Sequence, residues 1–317
     1  MSDNNAVQTK KPKTRGEMTN FQWTLREMRV NKVAYFLLAP FFILFFIFTV
    51  LPVILSLFFS FTIFNMLEPP KFVFMDNYIR LLLDDDIFLL SVKNTFFFAA
   101  ITGPLSYFLS LMFAWFINEL TPRIRSIVTL IFYAPSISGN VYLIFTILFT
   151  TDQHGLVNGT LMKYGVITKP IAFFADPKWI IPLVIVVALW ISLGTSFLAF
   201  IAGFQIVDRS LYEAAAVDGV KNRWQELWFV TLPYMRPQMM FGAILAITGS
   251  FSFGGIITGL CGFPSPDYCA HTMMHHLEDY GNLRFEMGYA SAIAVLLFIL
   301  MIGSNAVVRK LLSKVGT

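Results

Sequence analysis

Charge is what this sequence has least of. Asp, Glu, Lys and Arg make up 13% of 317 residues, against 56% hydrophobic residues and a mean hydropathy of +0.68. A soluble domain of this length does not carry so little charge, so the chain is expected in lipid. Cysteine is nearly missing too: only Cys261 and Cys269 occur, which excludes a disulfide scaffold and a multi-cysteine zinc site. No Gly-Lys dipeptide exists, so the G-x-x-x-x-G-K-[ST] phosphate loop is absent. Neither G-x-S-x-G nor HExxH occurs, which argues against a membrane-embedded enzyme.

What remains is six long windows without Asp, Glu, Lys or Arg: 33–67, 94–118, 126–151, 179–207, 237–266 and 287–308. Each exceeds the roughly 20 apolar residues that cross about 30 Å of hydrocarbon as a helix. They predict an all-α integral membrane domain of six transmembrane helices over 33–312. The longest windows must include loop residues or tilt. The polar, basic opening is too long for a cleaved signal, so 1–32 is expected as a cytoplasmic tail with an interfacial helix near Phe21 to Val30, and 313–317 as a cytoplasmic end. Sixteen of the 23 Lys and Arg fall on the side that would hold both termini. By the positive-inside rule that side is cytoplasmic, making a multi-pass protein of the cell membrane. The net charge of +4 is then a topology signal and implies no nucleic-acid partner.

The stretch "EAAAVDGVKNRWQELWFVTLP", Glu213 to Pro233, interrupts the apolar sequence on the cytoplasmic side. Leu211 to Val217 have high helix propensity, and Asp218-Gly219 supplies a turn that ends a helix of about two turns. Trp224, Leu227 and Trp228 follow at i, i+3, i+4 spacing and give one apolar face for the membrane-side helices. Pro233 and Pro237 are expected to break and restart the chain. Three consecutive alanines let another backbone approach closely, which suits insertion into a partner's cleft. An ordinary cytoplasmic loop with an amphipathic helix fits the composition as well.

The order of residues says more. "EAA" followed by "DG" and closed by "LP" resembles the EAA signature of the membrane subunits of binding-protein-dependent ABC importers. "YFLLAPFFILFFIFTVLPVILSLFFSF", "FMDNYIRLL", "VKNTFFF", "HGLVNGTLMKYGV", "FADPKWIIP" and "GYASAIAVLLFIL" look like successive landmarks of the carbohydrate-type permeases, in order over nearly the whole chain. The first span is similar to the first-kind subunit of the maltose/lactose/glycerol-phosphate permease family. The resemblance implies a type I, MetI-like bundle with the coupling segment around 205–236. Glu213, Ala214, Ala215, Asp218 and Gly219 would dock into a cytoplasmic ATPase, buttressed by Trp224, Trp228 and Pro233. It implies a second homologous permease, two ATP-binding subunits that carry ATP and magnesium, an extracellular solute-binding protein, and no cofactor on this chain. One departure is "TGLCGFPSPDYCAHT", which stands where the family commonly has a Thr-Gly-Gly-Gly-Pro loop.

None of the windows offers an ionisable Asp, Glu, Lys or Arg for ion coupling, so an uncharged, hydroxyl-rich solute fits better than a charged one. A sugar or oligosaccharide is expected, with a glycerol phosphodiester, a peptide-like solute or a secondary carrier as alternatives. The family's placement of pocket residues, transferred by spacing, implies Trp190, Ser192, Thr195, Thr248 and Gly249. Helix packing and hydroxyls bonded back to their own helix explain the same residues. Outside, Cys261 and Cys269 can form a disulfide if the compartment is oxidising. His271 and His275 would share a helix face, but a wetted loop explains this segment better than a metal, and no metal site is assigned. "LLLDDDIF" is expected to cap the start of the second span.

Overall fold

The computed structural model describes residues 20–252 and 254–312, so the tail through residue 19 and the end at 313–317 lie outside the described residues. The chain divides into two units, residues 1–55 and 56–317. In the first unit α1 (Asn20–Val30) leads into α2 (Lys32–Phe59), and none of the apolar window of α2 is buried in the chain. This helix is long and apolar enough to cross a membrane.

The second unit is built on α3 (Asp86–Asn118), which runs 33 residues. Its start is fixed by Asp85, whose carboxylate accepts from the backbone N–H of Phe88 at 2.8 Å. Helix α3 therefore begins eight residues before its charge-free window and carries Lys93 within it. At its other end Arg125 donates to the carbonyls of Asn118 and Leu120 at 2.6 and 3.2 Å, satisfying acceptors that a helix end leaves open.

Around α3 lie α4 (Pro122–Ile137), α5 (Tyr142–Leu148), α6 (Leu156–Lys163), α7 (Pro177–Ile191), α8 (Thr195–Ile206) and α9 (Arg209–Val217). A helical stretch over 223–234, α10, then leads to α11 (Arg236–Phe251), α12 (Gly254–Cys261), α13 (Met273–Glu278) and α14 (Met287–Leu312). Three apolar clusters meet along α3. Its C-terminal half packs Leu111 and Trp115 on Phe197 and Phe200 of α8, Phe98 meets Val184 and Ile257, and Phe88 joins the cluster of Tyr289 and Ile293 on α14. One exception to the all-α expectation is a two-residue antiparallel pair, β1 (Thr62–Ile63) with β2 (Lys71–Phe72). Asn77 of the "MDNY" landmark ties this corner together, donating to the carbonyls of Ser60 and Thr62 at 2.9 Å each.

Three windows are single helices, in α2, α3 and α14, and three are not. The axes of α4 and α5 differ by 86°, those of α7 and α8 by 43°, and those of α11 and α12 by 42°. The count of spans is six if each bent pair crosses once. Each break falls on small polar residues and glycine: Ser138-Gly139-Asn140, Ser192-Leu193-Gly194, and Ser252 before Gly254. Such residues release a helix readily, and at the second break Leu193 fills the corner, being buried.

The segment after α12 folds back onto α3. Asn94 donates to the carbonyls of Tyr268 and His271, and Thr95 Oγ1 accepts from the N–H of Met273 at 2.9 Å. Asp85 Oδ2 accepts from Tyr289 Oη at 2.8 Å and from His276 Nε2 at 3.1 Å. His276 Nδ1 then accepts from His271 Nε2 at 3.3 Å, so both rings are held neutral in one direction of donation. His271 meets both rings, that of His276 at 5.6 Å and that of His275 at 5.7 Å, but not from a shared helix face, because α13 starts only after Thr272. Among the described residues no group of three His, Cys, Asp or Glu side chains is placed to hold a metal.

Burial, and then the neighbouring His275, lowers the pKa of His271 from 6.5 to about 3; burial lowers that of His275 to about 4. These rings fold neutral, so their contribution is complete above pH 6.5, the unfolded value, and is lost as pH falls from there toward about 4. Thermal unfolding of the purified protein should therefore move to lower temperature between about pH 7 and pH 5, and His271→Gln with His275→Gln should flatten that slope. An unchanged slope in that variant would place the titration elsewhere.

Candidate functional site

The three helix breaks meet around one cavity of about 650 Å³. Ser136, Ser138, Gly139 and Asn140 line it from the first break, Ser192, Thr195 and Ser196 from the second, and Gly249, Ser250, Ser252 and Gly255 from the third, with Thr102 and Ser106 of α3 behind them. No Asp, Glu, Lys, Arg or His lines it among the described residues.

The hydroxyls are not free to donate. Thr102, Ser106, Ser136, Ser192, Ser250 and Ser252 each donate to a carbonyl three or four residues earlier in their own helix, at 2.7 to 3.0 Å. A hydroxyl has one proton and two lone pairs, so what these groups offer the cavity is acceptor oxygen. Asn140 supplies the complement: its Oδ1 takes the Tyr142 hydroxyl at 3.2 Å, leaving its NH2 for the cavity. The wall is uncharged, wettable and rich in acceptors.

Of the residues implied for the solute path, Ser192, Thr195 and Gly249 line this cavity. Trp190 does not; its ring packs edge-on against Phe145 with centroids 5.2 Å apart. Thr248 does not either, and its carbonyl accepts from Ser252. Ser136, Ser138 and Asn140, the polar residues that the third apolar window offers a solute path, line the cavity as well, brought in by the 86° bend. The signal for them was in the sequence as Ser-Gly-Asn inside an apolar window.

The second site is α9. Asp208 caps its start by accepting from the N–H of Ser210 at 3.0 Å. At its end the N–H of Val220 reaches Ala215 O at 3.0 Å and that of Gly219 reaches Ala216 O at 3.3 Å, with Gly219 at φ +97°. This is a Schellman cap, whose left-handed residue is usually glycine and sometimes asparagine. Only Ala215 of α9 is buried; Glu213, Ala214 and Asp218 are exposed, and Val217 is 87% exposed. Tyr212 Oη lies 2.9 Å from Thr231 Oγ1 and fastens α9 to α10.

In α10 the expected face divides. Leu227 is buried and Trp224 meets Trp115 of α3 at 4.6 Å with its ring tilted, but Trp224 and Trp228 are 61% and 65% exposed. The break expected between Pro233 and Pro237 is at Met235: α10 widens into a π turn over Leu227–Thr231, ends at Tyr234, and α11 restarts with Pro237 in its first turn. Cys261 and Cys269 are unbridged in this structure and pack on the α7 and α12 cluster.

The model of the family described as binding-protein-dependent transport system inner membrane component matches residues 104–316. The chain belongs to this family. It is an integral, multi-pass transport component and not an enzyme. The transport component is 30% identical over 277 residues to the probable ABC transporter permease protein YesP of Bacillus subtilis, covering 86% of this chain and 87% of that one. It is 27% identical over 298 residues to the arabinooligosaccharides transport system permease protein AraP of the same species, covering 90% and 91%. A solved bacterial alginate ABC transporter, in complex with an alginate pentasaccharide-bound periplasmic protein, has a chain that superposes with a TM-score of 0.75 at 22% identity, covering 91% of this chain and 96% of that one. At that identity the likeness shows the fold, an ABC importer permease bundle.

Proposed function

We propose that this transport component carries an uncharged oligosaccharide or similar polyol across the cell membrane as one subunit of an ATP-driven ABC importer. The observation that carries the proposal is the cavity at the three breaks, whose wall presents acceptor oxygens and an amide with no charged side chain. A sugar is a dense array of O–H donors, and about 650 Å³ lies within the range of small-molecule sites. AraP is named for arabinooligosaccharides, which supports the solute class. A glycerol phosphodiester would find no cationic partner there, and an ion-coupled carrier would find no carboxylate.

In this reading both termini are cytoplasmic, α9 is the coupling helix, and Glu213, Ala214, Ala215, Asp218 and Gly219 enter a cleft of a cytoplasmic ATPase. Trp224, Trp228 and Pro233 buttress it. Two such ATPases, holding ATP and magnesium, a second homologous permease and an extracellular solute-binding protein complete the assembly. ATPase closure pushes α9 and tips the bundle between inward- and outward-facing states. The cap geometry and the exposure of α9 support this role.

Gentle affinity isolation from native membranes tests the assembly. An ATPase with a phosphate-binding loop and a second permease with its own EAA stretch should co-purify; recovery of the chain alone, under conditions that keep other complexes intact, overturns the importer. Uptake then tests the solute: neutral oligosaccharides should be taken up and their uronate counterparts excluded. Equal uptake of both would remove the argument from the uncharged wall.

A further inference from the structure

Between the end of α2 at Phe59 and the start of α3 at Asp86 the chain makes an elbow. It consists of the β1–β2 pair and a helical segment, Asp76–Ile79, that runs into a π turn at Arg80–Asp84. One side of the elbow is tied to the bundle. The Phe59 and Phe64 rings stack with centroids 4.7 Å apart, Tyr78 Oη donates to Ser60 Oγ at 2.8 Å, and Leu81 is fully buried. At the start of α14, Gly288 donates its N–H to Phe64 O at 3.1 Å and has no room for a side chain against Thr62 O. Arg80 donates to Glu286 at 2.7 Å and its guanidinium lies 4.2 Å over the Tyr289 ring.

The other side is apolar and exposed. Met66, Leu67, Phe72 and Phe74 project from the β pair and its flanks, and Leu67 is 91% exposed. Ile79, Leu82 and Leu83 follow at i, i+3 and i+4 on the helical segment, with Leu83 75% exposed. Exposed apolar residues inside a span are ordinary, because hydrocarbon covers them. These keep different company: Glu68, Lys71, Asp76, Arg80 and Asp84 stand among them, and a hydrocarbon layer does not readily accept that much charge. A segment too charged for hydrocarbon and too apolar for water belongs at the boundary between the two. Its level agrees, since the elbow is fastened to the last turn of α2 and the first turn of α14, two ends of apolar helices long enough to span.

We propose that this elbow is a lipid-interface anchor, lying in the headgroup layer where α2 ends, with Leu67, Phe72, Phe74, Leu82 and Leu83 entering the upper part of the acyl chains. The inference needs only the integral membrane character of the chain and does not rest on the importer reading. The partner is a phospholipid surface of no particular charge: the elbow carries three acidic and two basic side chains, so apolar burial and not a polybasic patch holds it. The ion pair of Glu68 with Lys71, at 2.8 Å and exposed on both sides, keeps the turn of the β pair at the wet edge. The bonds to Gly288 and Glu286 then fix the first turn of α14 at the same depth.

Depth-resolved fluorescence quenching of the full chain in zwitterionic phospholipid vesicles tests the anchor. In a Cys261→Ser/Cys269→Ser background, Leu67→Cys and Leu83→Cys carry an environment-sensitive NBD dye, and the lipids carry a nitroxide at acyl carbon 5 or 12. Both positions are exposed, so the substitutions leave the packed side of the elbow unchanged. The nitroxide at carbon 5 should quench both dyes about twofold more than the one at carbon 12. Ile299→Cys, exposed halfway along α14, should show the reverse order, and Val217→Cys on α9, 87% exposed, is the water reference. Quenching at either elbow site no greater than at Val217→Cys overturns the anchor and turns the apolar side toward water or a protein partner. Stronger quenching from carbon 12 than from carbon 5 overturns it as well, because the elbow would then lie within the hydrocarbon.

Discussion

Gly219→Pro abolishes solute uptake while the protein still reaches the membrane at normal levels. Gly219 sits at φ +97° and donates its N–H to Ala216 O. Proline can do neither: its ring holds φ near −65° and it has no N–H, at a cost of about 3 kcal/mol in such a position. Helix α9 has nine residues and one buried side chain, so little packing opposes its unwinding. The loss is confined to an exposed element, and membrane insertion is unaffected. Gly219→Asn should keep most of the uptake, since asparagine tolerates the left-handed region better than other side chains. Glu213→Lys separates shape from contact. The ion pair of Glu213 with Arg209 is 3.6 Å long and exposed on both sides, and such pairs contribute little. Loss of uptake in Glu213→Lys with α9 intact would report a partner's surface, and normal uptake in both Gly219→Pro and Glu213→Lys would sink the coupling role.

Gly249→Trp should stop uptake by filling the cavity. Gly249 is exposed to that space, and a Cβ there would meet no atom within 4 Å, so the side chain enters without displacing the backbone. The stability of the assembled complex should stay near that of the parent, because no packed neighbour moves. The contrast is Gly242→Leu, whose Cβ would collide with the rigid ring of Phe200 in the core and should cost stability on the order of 1–3 kcal/mol. Uptake by Gly249→Trp at the parental rate would show that the solute does not pass through this cavity. ATP hydrolysis without uptake in the same variant would place the block at the solute and leave coupling intact.

The apolar windows, the start of α3 at the acidic triplet and the end of α9 at Asp218-Gly219 were legible because each is a local matter of hydropathy, capping or a left-handed residue. Hydropathy sums over a window and is blind to direction, so the bends at Gly139, Gly194 and Gly254 were invisible to it. Those bends decide which hydroxyls converge. Of the residues that spacing from the EAA stretch implied, Ser192, Thr195 and Gly249 line the cavity, since they flank a break, while the Trp190 ring packs on Phe145. The exposure of Trp224 and Trp228 was equally out of reach, because spacing shows that residues share a face and not what covers it. The Asp85, His276 and His271 chain joins residues almost two hundred positions apart, and no local pattern announces that.

The broken helices have a consequence for what the membrane can hold back. Each break frees backbone N–H and C=O groups inside a span; some pair again across it, as Val141 N–H does with Ser138 O, and the rest call for water. The cavity they surround is therefore hydrated whenever it is empty of solute. A standing pocket of water in the hydrocarbon layer leaves the permeability barrier to the mouths alone. Protons and sodium ions need no binding site to cross a continuous water column, only a moment when both mouths gape. The ion leak a cell tolerates, more than any affinity for solute, then sets how tightly the two mouths must exclude each other.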